Sequence, residues 1–103
     1  MSKICIAYIT FPSKREAEKI AMKLLNEKLV ACFNMFPIES LYRWKGKVEK
    51  SKEVVLIAKL LKKNLKRMIK IVKKYHPYTI PFIGVIDVDI NKEYFDWMKE
   101  VSK

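Results

Sequence analysis

Hydrophobic positions along the chain change their period in an order that outlines most of the fold. Ile4-Cys5-Ile6-Ala7-Tyr8-Ile9 is a short continuous apolar run, the pattern of a central strand covered on both sides. Pro12 breaks it. Ser13 followed by Glu16 is a capping-box signature, in which each side chain satisfies a free backbone N–H at a helix start. Ala17, Ile20, Ala21, Leu24, Leu25 and Leu29 then recur at helical spacing and predict a first helix over about residues 14–28.

Residues 30–48 read as one long strand, bent near Pro37 because proline cannot donate to a sheet ladder. A turn is expected among Glu49, Lys50, Ser51 and Lys52, after which Glu53 to Leu61 return as an apolar, β-branched strand. Leu65, Met68, Ile69, Val72 and Tyr75 form the apolar stripe of a second helix over about residues 62–75. His76-Pro77 ends it, since proline disfavours helical geometry in the residue before it. Phe82 to Ile90 is a last strand, with Asp87 and Asp89 alternating against Ile86, Val88 and Ile90, and Tyr94 to Val101 a short terminal helix. The order β-α-β-β-α-β plus a tail helix, with right-handed crossovers, predicts an α+β ferredoxin-like sandwich: both helices on one face of an antiparallel sheet. Residues 1–103 make a single domain.

Within the long strand, Ser40, Tyr42, Trp44 and Gly46 fall on alternate positions and therefore on one face. Tyr and Trp are common where one protein surface meets another, so this face is expected to be buried by a neighbouring chain.

Composition narrows the class. Half the residues are hydrophobic and 12% aromatic, enough for a core and unlike a disordered chain. No apolar run approaches the ~20 residues of a membrane span. The first residues show no signal-type pattern, and Cys5 and Cys32 each sit in apolar, strand-like sequence without a disulfide framework; a reducing cytoplasm is expected. The net charge of +11 is uneven: residues 45–74 carry twelve Lys or Arg against Glu49 and Glu53. Such a field concentrates anions. Lys62, Lys66, Lys70 and Lys74 repeat at i,i+4 without acids, where like charges repel. A nucleic-acid role for this helix is weighed and not preferred, because the aromatic strand motif of RNA-binding ferredoxin-like sheets is missing.

Candidate chemistry is sparse. There is no CxxC, HxxxH or HExxH spacing, no glycine-rich phosphate loop and no nucleophile elbow, and the chain has only Gly46 and Gly84. No catalytic residue is assigned and no enzyme is expected. His76, the only histidine, fits a helix C-terminal cap and a metal ligand equally well. Cys32 suits burial before reactivity, though a soft metal such as copper accepts both residues.

The pieces Thr10-Phe11-Pro12, Ala17, Ala21, Leu29-Val30-Ala31-Cys32-Phe33-Asn34, Pro37, Ser40-x-Tyr42-x-Trp44-x-Gly46-Lys47, Glu53, Lys59, His76-Pro77-Tyr78-x-x-Pro81, Tyr94 and Trp97 together resemble the CutA family of divalent-cation tolerance proteins. The resemblance runs nearly the whole chain. It implies a ferredoxin-like subunit in a homotrimer like that of the PII signalling proteins, with Ser40, Tyr42 and Trp44 at the interface. It also implies a role in tolerance to copper and other divalent cations, with Cys32 and His76 as candidate ligands, and no required cofactor. A runner-up is a PII-like sensor that takes an anionic small molecule in inter-subunit clefts, with Lys59 as counter-charge. The chain departs from the family pattern at Ile9, where some members carry cysteine, at Leu60-Leu61 after Lys59, and at Thr79 and Phe82, where acids are common.

Overall fold

The computed structural model describes residues 3–103. Four strands and three helices appear in the order β1 (Ile4–Phe11), α1 (Lys14–Asn26), β2 (Cys32–Trp44), β3 (Lys47–Leu61), α2 (Leu65–Tyr75), β4 (Ile83–Val88) and α3 (Lys92–Val101), with a 3₁₀ turn at Lys62–Asn64 leading into α2. The strands form one antiparallel sheet in the order β2-β3-β1-β4. This is the expected α+β, ferredoxin-like βαββαβ arrangement with its C-terminal helix. Ser13 caps α1, its Oγ accepting from the Glu16 N–H at 3.2 Å. That bond satisfies one of the donors that a helix start leaves unpaired.

Directly paired residues share a sheet face, so register sorts every strand position. On one face Cys5, Ala7, Ile9 and Phe11 of β1 and Leu56, Ala58 and Leu60 of β3 pack under α1 and α2, whose Ala17, Ile20, Leu24, Met68 and Val72 are buried against them. On the other face α3 covers one end only, seating Met98 on Ile4 and Leu61. The next rows of that face lie open: Ile86 is 60% and Phe36 40% exposed. β4 ends at Val88, short of the expected Asp89 and Ile90; within it Val88 packs against the Met98 cluster while Ile86, expected to be buried, faces outward in the single chain. Asp87 sits on the helix side, opposite Cys5.

The hairpin turn is not at residues 49–52. It is Lys45-Gly46, flanked by the Trp44–Lys47 pair, with φ of 50° and 79°. Positive φ at both central residues of a two-residue loop is the type I′ geometry that matches strand twist, and Gly46 takes it without a Cβ penalty. The six residues 47–52, expected at the end of the first long strand or in its turn, thus belong to β3, and Gly46 drops out of the Ser40-Tyr42-Trp44 face. β2 runs through Pro37 unbroken because it is an edge strand, where a missing N–H is tolerated.

β1 ends at its Phe11–Val54 pair, so beyond Pro37 the hairpin has no third strand. It continues as a two-stranded ribbon whose residues 41–50 are all exposed. The ribbon stretches the molecule to 46 Å along its long axis against 24 and 21 Å across. Tyr75, assigned to the apolar stripe of α2, is also 48% exposed; the Lys23 and Lys74 ammonium groups lie 4.9 and 5.3 Å from its ring centre. A Tyr face attracts such cations.

Candidate functional site

His76 follows the last residue of α2, and its backbone N–H closes that helix onto the Val72 carbonyl at 2.8 Å. Its ring is buried and stacked on Phe11, 4.4 Å between centroids. Nδ1 accepts the Tyr78 backbone N–H at 3.0 Å, and Nε2 lies 2.8 Å from the Thr10 carbonyl oxygen. Only one tautomer satisfies both contacts: Nδ1 bare, Nε2–H donating to Thr10. Burial holds the imidazole below its ordinary pKa, opposed by the Thr10 bond and the Glu16 and Glu53 carboxylates. The neutral ring is thus fully engaged, and a metal ion could take a nitrogen only by displacing Thr10 or Tyr78.

The same connector ties down the sheet at two further points. The Tyr78 hydroxyl donates to Glu53 Oε2 at 2.5 Å, and Phe82 meets Tyr8 edge-on at 6.1 Å. Burial, then the Glu53 carboxylate, raises the Tyr78 pKa and keeps its proton in place. The His-Pro-Tyr segment therefore works as a clasp from α2 across the end of β1 and β3. Sequence reading singled out the segment without seeing the Glu53 partner, because residues 25 apart are joined only by the fold.

Cys32 lies elsewhere. It pairs across the ladder with Lys59, whereas the Thr10 level of the sheet holds Val55 and Phe36. Four residues of strand separate Cys32 from Phe36, roughly 13 Å at strand rise. Within one chain Cys32 and His76 are therefore too far apart to share a metal ion. Among the described residues no three His, Cys, Asp or Glu side chains gather as a metal cluster.

Cys32 is instead joined by Lys59 and by Tyr94 of α3, a partner the sequence did not announce. The Lys59 ammonium lies 5.6 Å from the Tyr94 ring centre. Burial, and then the adjacent Cys32 thiol, raise the Tyr94 pKa. Lys59, the expected anion contact, borders a shallow pocket of about 330 Å³ whose other walls include Ile4, Ile6, Val88 and Met98. One cation in an apolar pocket is a modest counter-charge.

Ser40, Tyr42 and Trp44 lie on the ribbon and share one face, opposite Ser51, Glu49 and Lys47. The Tyr42 hydroxyl is 3.2 Å from Ser51 Oγ. Tyr42 and Trp44 remain 43% and 52% exposed. No helix among the described residues is long and apolar enough to cross a membrane.

Comparison with known proteins places this geometry. The family model for CutA1 divalent ion tolerance protein matches residues 5–101. The divalent-cation tolerance protein CutA of Archaeoglobus fulgidus is 44% identical over 90% of this chain and 92% of its own length. That of Thermococcus kodakarensis is 41% identical over 93% of each. The crystal structure of CutA1 from Pyrococcus horikoshii superposes with a TM-score of 0.93 at 39% identity, covering 96% of this chain and 98% of that one. The Archaeoglobus fulgidus structure, described as a periplasmic divalent cation tolerance protein, gives a TM-score of 0.91 at 41% identity, covering 95% and 97%. Matched by that family model over residues 5–101 and by these relatives over nearly its full length, the chain belongs to the CutA1 divalent ion tolerance family.

Proposed function

We propose that this chain acts in divalent-cation tolerance as a non-enzymatic homotrimer of PII-like architecture, with weak, direct handling of copper. The ribbon carries the assembly part of the reading. A two-stranded hairpin is marginal alone in water, yet this one runs past the sheet with Leu41 and Val48 at 72% and 66% exposure, besides Tyr42 and Trp44. A second copy that lays its sheet along the ribbon, or receives the aromatic face, supplies the missing burial. The open face beyond α3, with Ile86, Phe36 and Phe82 exposed, offers apolar surface to the same assembly.

For the metal, Cys32 is the soft donor we favour, with its remaining ligands supplied across a subunit boundary; His76 serves the clasp. Cys5 and Cys32 are both free thiols, which suits a reducing cytoplasm. Calorimetric titration of the metal-free protein with copper(II), zinc and calcium, alongside light-scattering mass, tests both halves. A trimer that takes up copper at a defined stoichiometry, and loses it in Cys32→Ser while staying trimeric, supports the proposal. A monomer in dilute solution overturns the assembly. A trimer without copper uptake, or with uptake unchanged in Cys32→Ser, overturns this metal site.

A further inference from the structure

The excess positive charge has a focus that neither the Lys59 pocket nor the face of α2 explains. Antiparallel pairing of β1 with β3 brings the start of one strand beside the end of the other, and the Lys62 N–H donates to the Lys3 carbonyl at 2.8 Å. The last turns of α3 close over the same corner. Together they wall a pocket of about 450 Å³ lined by Lys3, Lys62, Lys63 and Lys99 around Leu61 and Phe95. Two carboxylates reach these lysines: Asp87 pairs with Lys62 at 2.5 Å, and Asp96 with Lys99 at 3.4 Å while also holding Lys92. Among the described residues Lys3 and Lys63 have no ion pair, which leaves the lining with two uncompensated charges.

Four ammonium groups around an apolar floor make a site of donors only. Nothing in the lining side chains can accept a hydrogen bond from a ligand, so neutral polar molecules and cations gain little there. An ammonium acts on phosphate as a point charge, and a cleft lined by one sign of charge concentrates counter-ions. The pocket's size exceeds what a single orthophosphate needs. We propose that this pocket binds an anion bearing a diphosphate group, as free pyrophosphate or as a nucleoside diphosphate. Lys3 and Lys63 are its main contacts, and Phe95 is the apolar surface that a base would reach. The proposal is independent of the metal reading.

The test is a calorimetric titration of the full-length protein with pyrophosphate, ADP and orthophosphate at fixed ionic strength. Saturable binding of pyrophosphate, stronger than that of orthophosphate, is expected. The Lys3→Ala/Lys63→Ala variant should weaken it at least about tenfold, whereas Lys70→Ala/Lys74→Ala, with the same charge removed outside the pocket, should stay within about twofold. ADP tighter than pyrophosphate, with the difference lost in Phe95→Ala, identifies a nucleotide site; equal affinities identify a diphosphate site. Absence of saturable pyrophosphate and ADP binding overturns the proposal. So does an equal loss in both double variants, which would mark a diffuse basic field. Light-scattering mass and circular dichroism on each variant separate loss of the site from loss of fold.

Discussion

Replacing His76 by alanine removes four things at once. The Thr10 carbonyl loses its donor, the Tyr78 N–H loses its acceptor, the stack on Phe11 disappears, and a hole opens at the end of α2. Each lost hydrogen bond contributes about 1 kcal/mol, and more where the stranded partner is kept from water. The ring contact adds about 0.5–1.5 kcal/mol. The sum is about 3–4 kcal/mol of destabilisation, with His76→Gln recovering part of it through its amide. Urea unfolding at one fixed protein concentration is the assay, because the proposed assembly would make stability depend on concentration.

The same geometry fixes a pH dependence. The folded imidazole is held below its ordinary pKa, so the unfolded chain binds the proton more readily. Its contribution is therefore complete above about pH 6.5 and is lost as pH falls below that value toward the folded pKa. Wild-type stability should drop over this acid range by more than that of His76→Gln, in which the group is gone. Because His76 is the only histidine, its ring nitrogens can be followed by NMR without assignment ambiguity. A ring that titrates at or above its ordinary value, a proton on Nδ1, or an alanine variant within about 1 kcal/mol of wild type would refute the clasp. Copper uptake abolished in a stably folded His76→Gln variant would equally show that the ring is a ligand.

Tyr42→Ala/Trp44→Ala should lower the assembly mass in dilute solution, because large aromatics carry interface energies of about 2 kcal/mol or more; an unchanged mass by light scattering removes them from the interface. Lys45→Asn should stabilise the hairpin by up to about 1 kcal/mol, since a side chain other than Gly or Asn is strained at positive φ. A lower urea midpoint for that variant would contradict the type I′ turn. Gly46→Ala should destabilise by about 1–2 kcal/mol through backbone strain alone, as its added Cβ meets no atom within 4 Å. Met68→Ala, on the fully buried face of α2, should cost about 2–5 kcal/mol in the same unfolding assay.

Periodicity alone determined the kind and order of the elements. The apolar run at residues 4–9, the Ser13 half of the expected capping box and the Met68–Val72 stripe each appear where the pattern puts them, because local sterics and one-sided burial act within a few residues. The same pattern misplaced the hairpin turn by a few residues. Alternation continues through Lys45-Gly46 in the sequence, and only the left-handed backbone at both positions breaks the strand. Tyr75 and Ile86 look like core to a periodicity count, but neither α1 nor α3 reaches far enough to cover them.

The site divides along the same line. Cys32 and His76 were legible from their chemistry, Tyr42 and Trp44 from their alternation along a strand, and Lys59 only through the family resemblance. Tertiary structure alone decided their company. Strand register sets Cys32 beside Lys59 and leaves it about four residues of strand from the His76 level. Packing of α3 brings Tyr94 to Cys32 and Lys99 to Lys3. These pairings join residues tens of positions apart, and no local rule of spacing encodes them. They are set when the sheet closes and its two faces bury different amounts of apolar surface.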